Sequence, residues 1–328
     1  METSEIIFGR RKLLATGIGL AATALAPFAE GQSRYPVRPV RLVVPFPAGT
    51  SPDVIARLWS ERFAKATGQT VIVENKPGAG TIIAAQSVSG AVSDGYTLLW
   101  TVNNTFSINP FVYRKLPYSL EDFVPITRIL SVPFVLLVSA ESKIRTLDEL
   151  VRAAKSNAGT LSYASPGIGT SPHIVMAQLL SAAGITMTHI PYKDYYIHDV
   201  IAGRIDAAFD ASTTSIAQIK GGKVRALGIS SVARVEALKD VIPISDTYPG
   251  FAGESWHGIF APKGTPESIV NVIAEVSQGI VGAPDFRFVL EGYGLVPVGG
   301  TSSAFRHFLV EDAKRWGAII RTHNITAE

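Results

Sequence analysis

Two short stretches hold the residues whose types and spacing can do chemistry: Pro45-Phe46-Pro47-Ala48-Gly49-Thr50-Ser51-Pro52-Asp53 and Ser165-Pro166-Gly167-Ile168-Gly169-Thr170-Ser171-Pro172-His173. Each follows a short apolar run and precedes a stretch of helical periodicity, so each reads as a strand-to-helix loop whose backbone amides face an anion. Ala48 and Gly49 admit a ligand close to the backbone, and Thr50 and Ser51 add hydroxyl donors. Asp53 either ties the loop or accepts a donor from the ligand, and Phe46 lies at the loop's start. The same residues also make a plain capped helix start. Two such loops facing each other bring two helix N-termini to a small molecule and hold a carboxylate without an arginine. Ser165, Gly169 and Thr170 are the matching candidates in the second loop. His173 lies one turn into the helix that follows, where packing or capping competes with ligand contact. Asn103 and Asn104 follow the run 98–102 and read as cleft donors or as loop caps.

Other chemistry finds little support. The six histidines are scattered without metal-ligand spacing, and no Gly-x-Ser-x-Gly elbow or Walker loop occurs. Gly78-x-Gly80 and Gly167-x-Gly169 each lack the third glycine of a dinucleotide fingerprint, so neither a cofactor nor a metal is expected. With no cysteine, thiolate metal sites, cysteine nucleophiles and lipoprotein anchoring are excluded. A formal charge of +3 without a basic block is not that of a nucleic-acid binder and is a weak hint of anionic ligands.

The elements around these loops alternate. Strands are predicted at 40–45, 71–74, 97–102 and 135–139, with Pro133 marking an element boundary, and helices at 52–67, 80–89 and 147–157. In the first helix Val54, Ile55, Leu58 and Phe63 make the dry side, and Gly68 stops it. Thr146 caps the third with Glu149 three residues on. A second unit carries strands at 161–164, 188–190, 207–209 and 226–229 and helices at 171–183 and 199–203. The C-terminal third reads as three helices, 266–282, 284–291 and 302–321. With 328 residues, 47% hydrophobic and no flexible linker, this is an α/β chain of two lobes joined by extended crossover strands. Ligands in such sheets bind beyond strand C-termini, where the two loops lie.

At the N-terminus Arg10, Arg11 and Lys12 precede an apolar run, 13–28, shorter than the roughly 20 residues of a membrane-spanning helix. Residues 1–31 read as a cleaved signal peptide, of general secretory or twin-arginine type, with cleavage after Ala29 or Gly31.

The sequence resembles the Bug-type receptors of tripartite tricarboxylate transport systems. The resemblance runs through Tyr35-Pro36-x-Arg38-Pro39-x-Arg41-Leu42-Val43-Val44-Pro45-Phe46-Pro47-Ala48-Gly49, Val73-Glu74-Asn75-Lys76-Pro77-Gly78-Ala79-Gly80, Asp94-Gly95-Tyr96-Thr97-Leu98-Leu99 and Leu116-Pro117-Tyr118. It continues in Tyr163-Ala164-Ser165-x-Gly167-x-Gly169-Thr170, Pro191-Tyr192-Lys193, Ala202-Gly203-x-x-Asp206, Arg225-Ala226-Leu227 and Ala261-Pro262-x-Gly264-Thr265-Pro266. It implies a two-lobed periplasmic-binding-protein fold (type II-like), two α/β domains joined by crossover strands with the ligand cleft between them. Lobe 1 would span 34–133 plus 254–328, and lobe 2 134–253. The chain would be a periplasmic, monomeric, non-enzymatic receptor that binds a small carboxylate and meets the membrane subunits of a tripartite tricarboxylate-type transporter. By position, ligand loops fall on 46–53 and 165–170, with Tyr192 and Asp210 as further cleft residues. Two departures bear on the ligand: Thr50-Ser51-Pro52 stands where a Gly-containing stretch is common, and the segment 191–199 is shortened. Tyr195, Tyr196 and His198 there either face an aromatic acid or cover a helix end. An exported enzyme using Asp53, Asp210 or His173 as acid and base, and a ligand sensor for a signalling partner, are the alternatives.

Overall fold

The computed structural model describes residues 35–156, 158–193 and 196–327. Apolar β-branched runs become strands covered on both faces. β1 (Val40–Val44) lies parallel to β2 (Val71–Asn75) on one side and β3 (Thr97–Val102) on the other. Between them α1 (Ser51–Thr67) buries Ile55, Ala56, Trp59 and Phe63 and ends at Gly68, whose left-handed φ of 74° suits a residue without a Cβ. α2 (Ile82–Ser89) covers β3, and the chain then passes through a wide π-helical turn, Asn104–Ile108, into α3 (Asn109–Val112).

β4 (Phe123–Ser139) joins the two halves of the sheet. Its residues 123–133 pair antiparallel with β9 (Glu254–Pro262), and residues 134–139 with β7 (Ala207–Ala211) and β8 (Val224–Ile229). The expected element boundary at Pro133 is therefore corrected: one strand runs through it. The ladder changes partner at this residue, so the missing N–H interrupts no continuous pairing, and the Phe134 amide donates to Ser230 Oγ at 2.9 Å.

The second half follows with α4 (Leu147–Ser156), β5 (Ser162–Ser165), α5 (Ser171–Ala183), β6 (Thr188–Pro191), α6 (Ile197–Ile201) and α7 (Ser212–Lys220). The Glu149 amide donates to Thr146 Oγ1, the cap read from the sequence. α8 (Glu267–Gly282), α9 (Pro284–Gly292), β10 (Val296–Pro297) and α10 (Ser302–Thr322) complete the chain. The strand order is β2-β1-β3-β9-β4-β7-β5-β6, with β8 and β10 paired to β4. β9 and α7 are absent from the sequence reading. Eight of the nine β9 residues are buried, so the alternation that marks a half-exposed strand is missing.

Trp316 and Ile320 of α10, with Ile108 and Val112, join the core beneath α4 and α5. The C-terminal helix and the segment after β3 thus pack on the second half, and the two halves form one compact unit, Pro36–Glu328.

Candidate functional site

Both loops spell Gly-Thr-Ser-Pro, at 49–52 and 169–172, and their backbones duplicate each other. Gly49 and Gly169 take φ of 81° and 76°, a left-handed conformation that favours glycine. Thr50 (φ −72°, ψ 158°) and Thr170 (φ −82°, ψ 156°) are extended at the N-cap. Their hydroxyls do not cap the helices. Thr50 Oγ1 donates to the Pro47 carbonyl and Thr170 Oγ1 to the Gly167 carbonyl, each at 2.7 Å. The first helical bonds run from Val54 to the Thr50 carbonyl and from Ile174 to the Thr170 carbonyl. Pro52 and Pro172 have no N–H. The amides of Ser51 and Asp53 in one loop, and of Ser171 and His173 in the other, are left without a protein partner among the described residues.

Each loop is tied by the residue after its proline. In the first, the Gly49 amide donates to Asp53 Oδ2 at 2.9 Å. Asp53 is 1% exposed and also receives Arg57 Nε and Asn75 Nδ2, the latter at 2.7 Å, while Asn75 holds the Phe46 carbonyl as well. Burial by itself raises this carboxyl, but the hydrogen bonds from Arg57, Asn75 and Gly49 outweigh it, and the group lies below the ordinary carboxylate value. In the second loop the Gly169 amide donates to His173 Nδ1 at 3.2 Å. The His173 ring lies flat on His189, with centroids 4.1 Å apart, and His189 on Tyr163 at 4.8 Å. Burial, then the neighbouring His189 and His323, push His173 down to about 4. Ser165 Oγ pairs with His189 Nε2 at 2.7 Å and with the amide and carbonyl of Gly167. Asp53, His173, Ser165 and Thr170 thus spend their side chains on loop geometry. The amides and the Ser51 hydroxyl, which takes no partner among the described residues, are what remain for a ligand.

The second loop also seats against the first half. Asn103 Nδ2 donates to Ser171 Oγ at 3.1 Å, Ser255 Oγ donates to Asn103 Oδ1 at 2.6 Å, and Ser171 Oγ reaches Asn104 Oδ1 at 3.4 Å. A Cβ on Gly169 would lie 3.5 Å from Val112.

The remaining sequence candidates fall as follows. Ala48 and Gly49 are exposed, and Phe46, Thr50, Ser51 and Asn104 are half-buried. The Tyr192 amide donates to the Ser165 carbonyl at 3.0 Å, while its hydroxyl turns away to bond Asp199. Asp210 is half-buried, receives Tyr196 OH at 2.8 Å and Thr214 Oγ1 at 2.6 Å, and is raised by burial against those bonds. Tyr196 is buried and its ring is part of the second-half core, the helix-covering alternative of the sequence reading. The residues 1–31 assigned to a signal peptide, and Asp194 and Tyr195, lie outside the described residues. Asn103, read from the sequence with Asn104 as a cleft donor or loop cap, is spent on Ser171 and Ser255, whereas the sequence singles out neither His189 nor Asn75. His189 and Asn75 act on the loops from neighbouring strands, at separations of 20 residues or more that local spacing does not encode.

Among the described residues no group of three or more His, Asp and Glu could hold a metal ion, and no helix is long and apolar enough to cross a membrane. A groove of about 330 Å³ between β4, β9 and α10, lined by Arg128, Glu254, Trp256, Phe308 and Arg315, shares no residue with the two loops.

Residues 55–325 match the family model of the tripartite tricarboxylate transporter family receptor, TctC. The chain is 38% identical over 326 residues to a protein of Pseudomonas sp. (strain P51) described as the UPF0065 protein in the tcbD-tcbE intergenic region, covering 97% of this chain and 96% of that one. Among solved structures it is similar to an R. palustris protein with adipate (TM-score 0.82, 28% identity, 89% of this chain and 99% of the other). It is also similar to the periplasmic binding protein BugD (0.78, 32%, 89% and 99%) and to MatC of Rhodopseudomonas palustris with bound malate (0.76, 28%, 87% and 100%).

Proposed function

As the chain belongs to the tripartite tricarboxylate transporter receptor family, a family of solute-binding proteins rather than enzymes, we propose that it is an exported, periplasmic receptor that closes on a small carboxylate and delivers it to the membrane subunits of a tripartite tricarboxylate-type transporter. One observation carries this reading. Two duplicated helix starts leave the amides of Ser51, Asp53, Ser171 and His173 uncapped, in loops whose side chains are turned to tying them. Such ends attract a carboxylate through N–H donors and the helix dipole. The relatives solved with adipate and malate support an acid of that size. Asn104, Tyr192 and Asp210 flank these loops as secondary contacts.

The lobes are proposed as 34–133 plus 254–328 and 134–253, which fits the change of partner between Pro133 and Phe134 of β4. Closure about that point would bring the two helix starts onto the ligand and create the surface that the membrane subunits read. Residues 1–31 are proposed as the cleaved export signal, and the mature receptor as a monomer.

Calorimetric titration of the mature chain with aliphatic and aromatic mono- and dicarboxylates tests the proposal. One acid of the panel should bind with one-to-one stoichiometry and no chemical change; heat from none of them would reject it.

A further inference from the structure

The second loop hangs from rings that the binding reading leaves unused. Gly169 is held by His173 Nδ1 and Gly167 by Ser165, whose hydroxyl pairs with His189. The two imidazoles are nearly parallel, 7° apart with centroids at 4.1 Å, and Tyr163 stacks beneath His189 at 17°. Tyr163 and His189 stand side by side in the β5–β6 register, so the sheet fixes the base of the column and α5 fixes its top. A neutral Nδ1 accepts an N–H, whereas a protonated one presents a second N–H to it and the bond is lost. The titratable groups that face the pair are each other, Tyr163 from β5, and His323 after α10. No carboxylate hydrogen-bonds either ring among the described residues. A charge on one ring would therefore lie against its stacked neighbour with no carboxylate to compensate it. Burial pushes both rings below the ordinary histidine value.

We propose that His189 and His173 are positioning residues for ligand binding: the neutral stacked pair holds Gly167 and Gly169 so that the amides of Ser171 and His173 are presented, and protonation of the pair lets the loop go and releases the ligand in acid. This rests on the reading that the second loop meets the carboxylate. Asparagine at 173 can place Oδ1 where Nδ1 sits, accepting from Gly169 without titrating. Phenylalanine keeps a ring in the stack and removes the acceptor.

The test titrates adipate and malate calorimetrically between pH 7.5 and 3 into the wild type, His173→Asn, His173→Phe and His189→Gln. Protonation of the acid itself acts on all four alike. At pH 7.5 His173→Asn and His189→Gln should bind within about threefold of wild type and His173→Phe about tenfold more weakly, a difference of one hydrogen bond. By pH 3 the wild type should lose about tenfold more affinity than His173→Asn, and His189→Gln, which keeps the titrating Nδ1 of His173, should follow the wild type. Identical pH profiles in all variants, or wild-type affinity in His173→Phe, would overturn the proposal. If neither acid binds at any pH, the column is decided separately by hydrogen exchange in the ligand-free chain. There the Gly169 amide should be protected in wild type and His173→Asn and exposed in His173→Phe, and equal protection in all three would sink the idea.

Discussion

The two Gly-Thr-Ser-Pro loops solve one backbone problem with opposite electrostatics. Around Asp53 the tie is an anion: a buried carboxylate neutralised by Arg57 and satisfied by Asn75 and the Gly49 amide. Around His173 it is a neutral ring stacked on a second ring. The difference follows from what each sheet half supplies. α1 offers Arg57 one turn on and β2 offers Asn75, so a charge can be compensated. β5 and β6 offer Tyr163 and His189, which favour a flat, uncharged partner. The loops differ in their surroundings too, since Ser171 is bonded into the junction with Asn103 while the Ser51 hydroxyl takes no partner among the described residues. A repeated loop sequence therefore sets a shape, and its neighbours decide how that shape responds to charge.

Exchanging the tie breaks the comparison most directly. His173→Asp would place a carboxylate against His189 and Tyr163 with no counterpart of Arg57 or Asn75, and should lower unfolding stability by about 3 kcal/mol in urea denaturation. A loss under about 1 kcal/mol would show that the second site compensates charge as the first does. Acid separates the loops next. His173 titrates at about 4 in the fold against an ordinary 6.5, so the unfolded chain takes up its proton first, and stability is lost as pH falls between those values. Asp53 lies below its ordinary 3.8, so its contribution persists until the pH drops through that region. His257, pushed to about 3 by burial, loses stability in the same window as His173. The measurement is therefore the difference in melting temperature between wild type and His173→Asn, which should narrow from pH 7 to pH 4.5 if the wild type starts higher, and would stay constant if His173 does not titrate there. The smallest effect is expected at the serines. Ser171→Ala strands Asn103 in the junction and should cost about 1 to 2 kcal/mol, whereas Ser51→Ala should change stability by less than about 0.5 kcal/mol. Equal losses would mean that Ser51 has a partner of its own.

Local patterns were enough for most of the α/β alternation. The apolar spacing of Ile55 and Phe63, the Gly68 stop and the Thr146–Glu149 cap all act within one or two turns, and all appear in the fold. β9 was invisible because burial on both faces erases period-two alternation. Pro133 misled because its effect on a strand depends on whether the ladder is continuous there, which only the pairing of β4 with β9, β7 and β8 decides.

At the site the same division holds. The sequence by itself determined where the two Gly-Thr-Ser-Pro loops are and what backbone they adopt, because glycine, threonine and proline constrain φ and helix entry residue by residue. Tertiary structure alone decided which side chains tie those loops. Asp53 finds Asn75 across 22 residues, Ser165 finds His189 across 24, and Ser171 finds Asn103 across 68. Hydrogen bonds and ring contacts act over a few ångströms, and only the folded sheet brings those residues within reach.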